Sequence, residues 1–323
     1  MRRGAFLAVA TLCALAAACA FAEWVYDGEW GGRGKGDGQF DNVAGIAVAS
    51  NGNVYVADAN NHRVQYFTRN GSFLGKWGTY GSGNGELHAP WGVAVSSNNR
   101  VYVADEGNDR IQYFTLTGSF LGKFGSRGTG NGQFKTPQDL DFAPVGTLYV
   151  ADSHNYRIQY FTPTGTFLGK WGSFGGGNGQ FGMFLAIAVG PNDNVYVADG
   201  FNDRVQYFNA GGSFLGQWGQ YGWANGDMYG PMGLDVGPAG AVYVTDSGNS
   251  RVQFFTDTGS FLGKWGKYGS GKGEFADPTD AALSPRGDRI YVTDESSNRL
   301  QYFRWSAPAV APASLGRVKA LFR

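Results

Sequence analysis

An aspartate and an arginine recur together six times in the chain, and an acid beside a base could serve as a catalytic pair. The first pair, Asp58 and Arg63, encloses the four-residue turn Ala59–His62. Successive aspartates are separated by 47 residues four times and by 48 residues once. A catalytic pair is needed once, whereas a pair present in every repeat serves the scaffold, so we predict that each arginine clamps a turn by binding the aspartate. The predicted clamps are Asp58 with Arg63, Asp105 with Arg110, Asp152 with Arg157, Asp199 with Arg204, Asp246 with Arg251, and Asp294 with Arg299.

Glycine-rich loops and three histidines are other features that could bind a ligand. Gly81–Gly85 is one of six loops that superficially resemble a phosphate-binding loop. Such a loop leads into a helix whose N-terminus faces the anion. Here strands follow, so we predict that the loops are crossings between repeats, in which glycine permits positive φ. The histidines fall in turns or loops, where we expect them to be solvated: His62, His88 and His154.

Each repeat predicts four short strands that pair as an antiparallel meander. In the unit Ala44–Gly78, apolar runs are separated by the turn signals Ser50–Gly52 and Arg69–Gly71. Both faces of the strand Val54–Asp58 are apolar, and a sheet of that kind must be covered on both sides. A ring of stacked sheets provides this cover, which predicts a β-propeller.

The ends of the chain predict how the ring closes. Six repeats correspond to six blades, but the sixth has no outer strand after Arg304. The segment Trp24–Gly31 matches the missing strand. We therefore predict an all-β fold, a six-bladed β-propeller of four-stranded antiparallel blades whose last blade is completed by the N-terminal strand.

The repeat resembles the NHL-repeat family of six-bladed propellers, in the form found in secreted bacterial proteins. One copy reads Gly83–Leu87, Pro90–Val95, Val101–Asp105 and Asn108–Phe114. The resemblance covers nearly all of residues 24–304 and implies the propeller fold. It does not imply one activity, because the family includes secreted enzymes, receptor sensor domains, and RNA- or protein-binding modules.

Function is expected where the copies differ. In each blade, the second turn and the crossing to the next blade should emerge on one face of the ring, which we call the top face. There, blades 4 and 5 concentrate aromatic residues and methionines, including Met228, and exposed clusters of this kind mark interaction sites. The predicted ligand- or partner-binding residues are Trp91, Gln138, Met183, Phe184, Phe201, Trp223, Tyr229 and Met232.

A metal site is the alternative use of the ring centre. The resemblance implies a model for it, because an enzymatic relative binds zinc through histidines there. His62 and His154 occupy non-equivalent turn positions, so we predict no cofactor, with Ca²⁺ or Zn²⁺ as the alternative. Four aspartates near the inner strands could bind a cation such as Ca²⁺, although no EF-hand-like loop is present: Asp139, Asp141, Asp235 and Asp280.

Composition divides the chain into three parts. Residues 1–22 have a basic start, an alanine- and leucine-rich stretch and an Ala-Phe-Ala cleavage site, as in a secretory signal peptide. Residues 23–305 form the propeller, and residues 306–323 form a Pro/Ala linker with a short basic tail. We expect a protein that is secreted or held in the cell envelope, with no transmembrane span after cleavage. Lipid attachment at Cys19 is the alternative.

Charge narrows the class of partner. The whole chain has 26 basic and 26 acidic residues, but removing the five basic residues of the two termini leaves 21 against 26. A repeat body with a net charge of −5 lacks the basic surface that nucleic-acid binding requires. We therefore predict a monomeric, exported binding scaffold for a protein, peptide or glycan on the top face. A lyase or lactonase-like hydrolase with a metal at the channel mouth, and a structural cell-surface module, are the alternatives.

Overall fold

The structure is a computed structural model that describes residues 23–306. It contains six four-stranded antiparallel sheets. Five of them are built from strands that follow one another in the chain, and in the sixth the N-terminal strand pairs with the C-terminal strand. This confirms the predicted six-bladed propeller. The strands are β1 Glu23–Gly31; β2 Val43–Val48, β3 Val54–Asp58, β4 Arg63–Phe67 and β5 Phe73–Trp77; β6 Pro90–Val95, β7 Arg100–Asp105, β8 Arg110–Thr115 and β9 Phe120–Phe124; β10 Pro137–Phe142, β11 Leu148–Asp152, β12 Arg157–Phe161 and β13 Phe167–Trp171; β14 Leu185–Val189, β15 Val195–Asp199, β16 Arg204–Phe208 and β17 Phe214–Trp218; β18 Pro231–Val236, β19 Val242–Asp246, β20 Arg251–Phe255 and β21 Phe261–Trp265; and β22 Pro278–Leu283, β23 Arg289–Asp294 and β24 Arg299–Ser306.

Five of the second turns contain a short 3-10 helix. Each helix ends at a residue with left-handed backbone conformation, such as His62 with φ 55°. No helix within residues 23–306 is long and apolar enough to cross a membrane. The predicted signal peptide and nearly all of the predicted tail lie outside the described residues. The 3-10 helices are Ala59–Asn61, Glu106–Asn108, Ser153–Asn155, Gly200–Asn202 and Ser247–Asn249.

The blades pack through the apolar faces of their strands. Tyr55 and Val56, on opposite faces of β3, are both fully buried. At the outer end of the same blade, the ring of Trp77 packs against Phe114 of the next blade with centroids 5.5 Å apart. Gly118 lies against the same indole, where a Cβ would approach to 2.6 Å. The seams between blades therefore hold aromatic rings at both second and outer strands.

Each Asp–Arg pair joins a turn to the preceding crossing. Nε of Arg63 donates to Oδ2 of Asp58 at 2.6 Å, and Oδ1 of Asp58 accepts the backbone N–H of Asp41. The guanidinium also donates to the carbonyl oxygens of Lys35, Gly36 and Gln39. The backbone donor to Asp58 comes from the crossing, so the clamp ties loop to blade.

The ring closes where β1 pairs with β24, from Glu23 opposite Ser306 to Gly31 opposite Arg299. Charge pairs reinforce this junction within the sixth blade. Asp27 lies 2.5 Å from Nη2 of Arg289, and Glu29 lies 2.9 Å from Nη1 of Arg299. Because Arg299 reaches toward Glu29, its Nε is 3.4 Å from Asp294, longer than in the other five clamps.

Candidate functional site

The top face carries a group of exposed aromatic side chains over blades 4 and 5. Trp223 is 67% exposed and Phe201 is 61% exposed. The ring of Tyr221 lies 5.4 Å from that of Trp223 and 5.3 Å from that of Tyr229, so these three form one cluster on the crossing between the blades. We call the exposed group the aromatic sector; it comprises Phe174, Phe184, Phe201, Tyr221, Trp223 and Tyr229.

The backbone beneath the aromatic sector is held by hydrogen bonds between turns and crossings. The N–H of Phe201 donates to the carbonyl of Met183, and the N–H of Gly200 donates to that of Phe184. Phe184 itself has φ 61°, a left-handed conformation that is unusual for a bulky residue. On the other side, the N–H of Tyr229 donates to the clamp carboxylate of Asp246 at 2.7 Å. The clamps thus position the loops that present the aromatic rings.

The predicted partner-binding residues divide into two groups. Trp223, Tyr229 and Phe201 are exposed in the aromatic sector, and Met183 is half-buried beside them. Four others line the narrow upper mouth of the central channel. One of these four, Phe184, also belongs to the aromatic sector. The residues at the mouth are Trp91, Gln138, Phe184 and Met232.

Met228 was expected in the exposed cluster, and that expectation is wrong. Its side chain is fully buried, because it occupies the repeat position of Leu87 and Phe134, which fill the core beneath each crossing. Tyr221, which bridges to Met228 in the backbone, takes the exposed place. Sequence reasoning missed Tyr221 and Phe174. Four blades hold an aromatic residue at this repeat position, so comparison of the copies does not single these two out: Tyr80, Phe174, Tyr221 and Tyr268.

Two of the histidines, His62 and His88, make more contacts than expected. Nδ1 of His62 accepts the backbone N–H of Ala89 at 3.1 Å, and its ring lies 4.9 Å from Tyr80 and 5.8 Å from His88. Burial, together with the neighbouring His88, lowers the pKa of His62. His62 therefore serves as a neutral acceptor that joins blade 1 to the next crossing.

The four inner-strand aspartates all line the central channel, which encloses a cavity of about 280 Å³. Each carboxylate accepts the N–H of its own following residue and one N–H from the next blade. Asp139, for example, accepts from Leu140 and from Ile187, both at 2.8 Å, and Asp280 accepts from Ala281 and from Ile46. These carboxylates therefore connect neighbouring inner strands.

Close packing at the mouth surrounds the glycines that stand in blades 1 and 5 at the position of Asp139. A Cβ on Gly45 would lie 2.5 Å from the carbonyl of Trp91, and one on Gly233 would lie 2.5 Å from Asp280. The inner strands approach too closely for a side chain at these positions. Within residues 23–306, no three His, Cys, Asp or Glu side chains come together in a way that could hold a metal ion.

Burial raises the pKa of Asp139 and of Asp235 to about 7 and that of Asp141 to about 6. Burial and the neighbouring Asp139 also raise the pKa of Asp280. An aspartate whose pKa is higher in the native state binds a proton more strongly there than in the unfolded chain. Protonation of these groups therefore stabilises the native state fully below about pH 4, near the unfolded pKa of an aspartate. This stabilisation is lost as the pH rises to about 7, the native pKa of Asp139 and Asp235.

We accordingly expect the melting temperature to fall by several degrees between pH 5 and pH 8, because deprotonation leaves negative charges in the channel. Thermal denaturation followed by circular dichroism measures this. Asp235→Asn, which removes one titrating group, should flatten the dependence, whereas Asp257→Asn at an exposed turn should not. A melting temperature that rises steadily over this interval in the unaltered protein would contradict the raised pKa values.

Comparisons with known proteins agree with this architecture. The NHL repeat model matches residues 40–67 and 87–114, and a family model described as a 6-bladed beta-propeller matches residues 238–307. Among curated proteins, 49 residues are 43% identical to the B-box type zinc finger protein ncl-1 of Caenorhabditis elegans. A stretch of 43 residues is 42% identical to human Tripartite motif-containing protein 2. These matches span 15% and 13% of this chain and only 6% of each relative.

Solved structures are similar over nearly the whole ring. A gluconolactonase of Xanthomonas campestris has a TM-score of 0.62 at 17% identity, covering 91% of this chain and 93% of that one. Virginiamycin B lyase of Staphylococcus aureus has a TM-score of 0.60 at 14% identity, with 90% of each chain covered. A Bacteroides thetaiotaomicron protein of unknown function has a TM-score of 0.67 at 15% identity, covering 88% and 77%. Such low identities show the fold alone. The chain thus carries NHL repeats in a six-bladed β-propeller.

Proposed function

We propose that this propeller is an exported binding module whose aromatic sector docks a protein or peptide partner. The observation that carries the proposal is the concentration of exposed aromatic rings over two adjacent blades. Monomeric proteins rarely expose contiguous apolar patches without a use. Phe, Tyr, Trp and Met are enriched at the cores of protein interfaces, and Lys and Glu are depleted there.

Charge supports a protein partner at this position. The crossings 173–183 and 220–230 contain a single charged residue, Asp227. By contrast, the crossing 267–277 contains Lys267, Lys272, Glu274 and Asp277. The aromatic sector therefore combines large apolar rings with little charge to desolvate, as hot spots of protein interfaces do.

The geometry also lowers the entropic cost of binding. The loops beneath the rings are already ordered by the clamp bonds to Asp246 and by the backbone bonds of Gly200 and Phe201. Tyr221 packs edge-on against Trp223 and Tyr229, so these rings have restricted rotamers before a partner arrives. Preorganised groups lose less conformational entropy on association.

The test is capture of partners from the envelope of the source cell by the purified propeller, compared with a Phe201→Ser/Trp223→Ala double variant. We expect one or more proteins to bind the unaltered ring and to be lost with the variant, which should keep its melting temperature because both side chains are exposed. Each captured protein is then purified and titrated directly. Equal capture by both forms would contradict the proposed surface, and retention of glycans alone would reject a protein partner.

Enzymatic activity is a distinct alternative. A lyase or lactonase-like reaction would be placed at the channel mouth, beside Gln138 and Asp139, rather than on the aromatic sector. Metal analysis of the purified chain separates the two: stoichiometric Ca²⁺ or Zn²⁺ would favour the enzyme. A purely structural cell-surface role would leave the double variant fully functional.

A further inference from the structure

A second site lies inside the ring, and it shares only Phe184, at the mouth, with the aromatic sector. The channel cavity of about 280 Å³ corresponds to the liquid volume of about nine water molecules, so it could hold a small organic ligand. Its acidic groups stand at two levels. Asp139 and Asp280 share the repeat position nearest the top face, and Asp141 and Asp235 lie two residues further along their strands. Two residues of strand separate the levels by about 7 Å.

Apart from Ser284 at one end, the rest of the cavity wall is apolar. The strands β2, β6 and β14 contribute residues such as Val48, Val93 and Ile187, and no Lys, Arg or His of residues 23–306 lines the cavity. The four carboxylates therefore have no cationic partner within the channel. Their oxygens each accept a backbone N–H, which holds them in place while leaving further acceptor capacity, since a carboxylate offers about four lone-pair sites.

Gln138 points independently to a ligand. It is only 6% exposed, it lines the upper mouth together with Asp139 and Asp280, and its Oε1 has no hydrogen-bond partner. A buried acceptor without a donor costs free energy unless something satisfies it. The four carboxylates and Oε1 of Gln138 offer acceptors for further hydrogen bonds at the mouth and along the channel, so the matching ligand is a donor that carries positive charge.

The arrangement of the acids favours an extended cation. Carboxylates at two levels, with no three of them gathered as a metal site in residues 23–306, match two separated positive charges better than one point charge. Aliphatic walls between the levels match a methylene chain. We propose that the central channel binds a linear aliphatic diamine, one ammonium group lying near Gln138, Asp139 and Asp280 and the other near Asp141 and Asp235.

The proposal predicts saturable binding of 1,4-diaminobutane to the full chain at pH 8, measured by isothermal titration calorimetry. Its amino groups are protonated at this pH, as lysine is. We expect 1-aminobutane, which has the same carbon chain and one ammonium group, to bind at least tenfold more weakly. Asp235→Asn and Gln138→Met should each weaken diamine binding at least tenfold, while Asp257→Asn, at an exposed turn outside the channel, should leave it unchanged.

A measurement on the unaltered chain protects the test against variants that fail to fold. The titratable groups of the cavity wall are the four aspartates, so diamine affinity should fall at least tenfold between pH 8 and pH 5 as they take up protons. No saturable binding at pH 8, or equal affinity at both pH values, would overturn the proposal. So would a Ca²⁺ titration that saturates the channel when the diamine does not bind.

Discussion

Arg110→Ala is expected to lower the free energy of unfolding by about 3–5 kcal/mol, the usual cost of removing one partner from a buried ion pair. Nε of Arg110 lies 2.6 Å from Oδ2 of Asp105, and both side chains are nearly inaccessible to solvent. The same guanidinium donates to the carbonyl oxygens of Ser82, Gly83 and Glu86. Its loss would leave a buried carboxylate short of its cation and would remove a donor from each of the three carbonyls, although that of Glu86 still accepts from Nε2 of Gln112.

Urea denaturation of the variant provides the measurement, with Arg127→Ala as the matched control. Arg127 is also near an acid, 3.7 Å from Asp109, but its side chain is 79% exposed, so its removal should change stability by no more than about 0.5 kcal/mol. Equal costs for the two variants would refute the clamp. Loss of partner binding by Arg110→Ala at unchanged stability would instead indicate that the repeated pair acts on a ligand.

Trp30→Ala is expected to destabilise the ring by about 3 kcal/mol, toward the lower end of the range for large aromatic truncations because the side chain is only partly buried. Trp30 of β1 packs across the closing seam, 5.6 Å from Phe67 of blade 1, and within its own blade lies 5.5 Å from Tyr302. It stands where Trp77 stands in blade 1, so its removal weakens both the packing of blade 6 on blade 1 and the junction of β1 with β24.

The controls for Trp30→Ala use the same substitution elsewhere. Trp77→Ala removes the equivalent ring from an internal seam, 5.5 Å from Phe114, and should cost a similar free energy. Trp223→Ala removes an exposed ring and should cost no more than about 0.5 kcal/mol. Hydrogen exchange of the β24 amides should accelerate most in Trp30→Ala. A cost no larger than that of Trp223→Ala would contradict closure by β1.

The fold could be predicted from the sequence because it is repeated six times. The spacing of Asp58 and its counterparts set the number of blades, and the match of Trp24–Gly31 to an outer strand predicted the closure, which the pairing of β1 with β24 confirms. Local signals sufficed here, since every blade repeats the same turn residues and strand pattern. The sixth copy also differs in sequence, where Ser297 replaces the asparagine that donates to the clamp aspartate in the other copies.

The candidate sites were less accessible to sequence reasoning. Met228 and Tyr221 both lie on one crossing, and which of them turns inward depends on how that loop packs over the blade. Gln138 was predicted as a partner-binding residue of the top face, but its burial without a donor for Oε1 became visible only from the packing of neighbouring strands. The position of a residue along the repeat predicts the face of the ring on which it lies. Contacts between neighbouring blades decide whether its side chain is exposed or buried.

The central claim is that function resides where the blades differ, over blades 4 and 5. Tyr221 and Tyr268 occupy the same position of two crossings, and both are exposed, at 56% and 80%. The direct test is the dissociation constant of a purified partner for Tyr221→Ala and for Tyr268→Ala, measured by calorimetry. We expect Tyr221→Ala to weaken binding at least tenfold, about 1.4 kcal/mol, and Tyr268→Ala to leave it unchanged. Equal effects of the two substitutions, or a loss confined to Tyr268→Ala, would contradict the assignment.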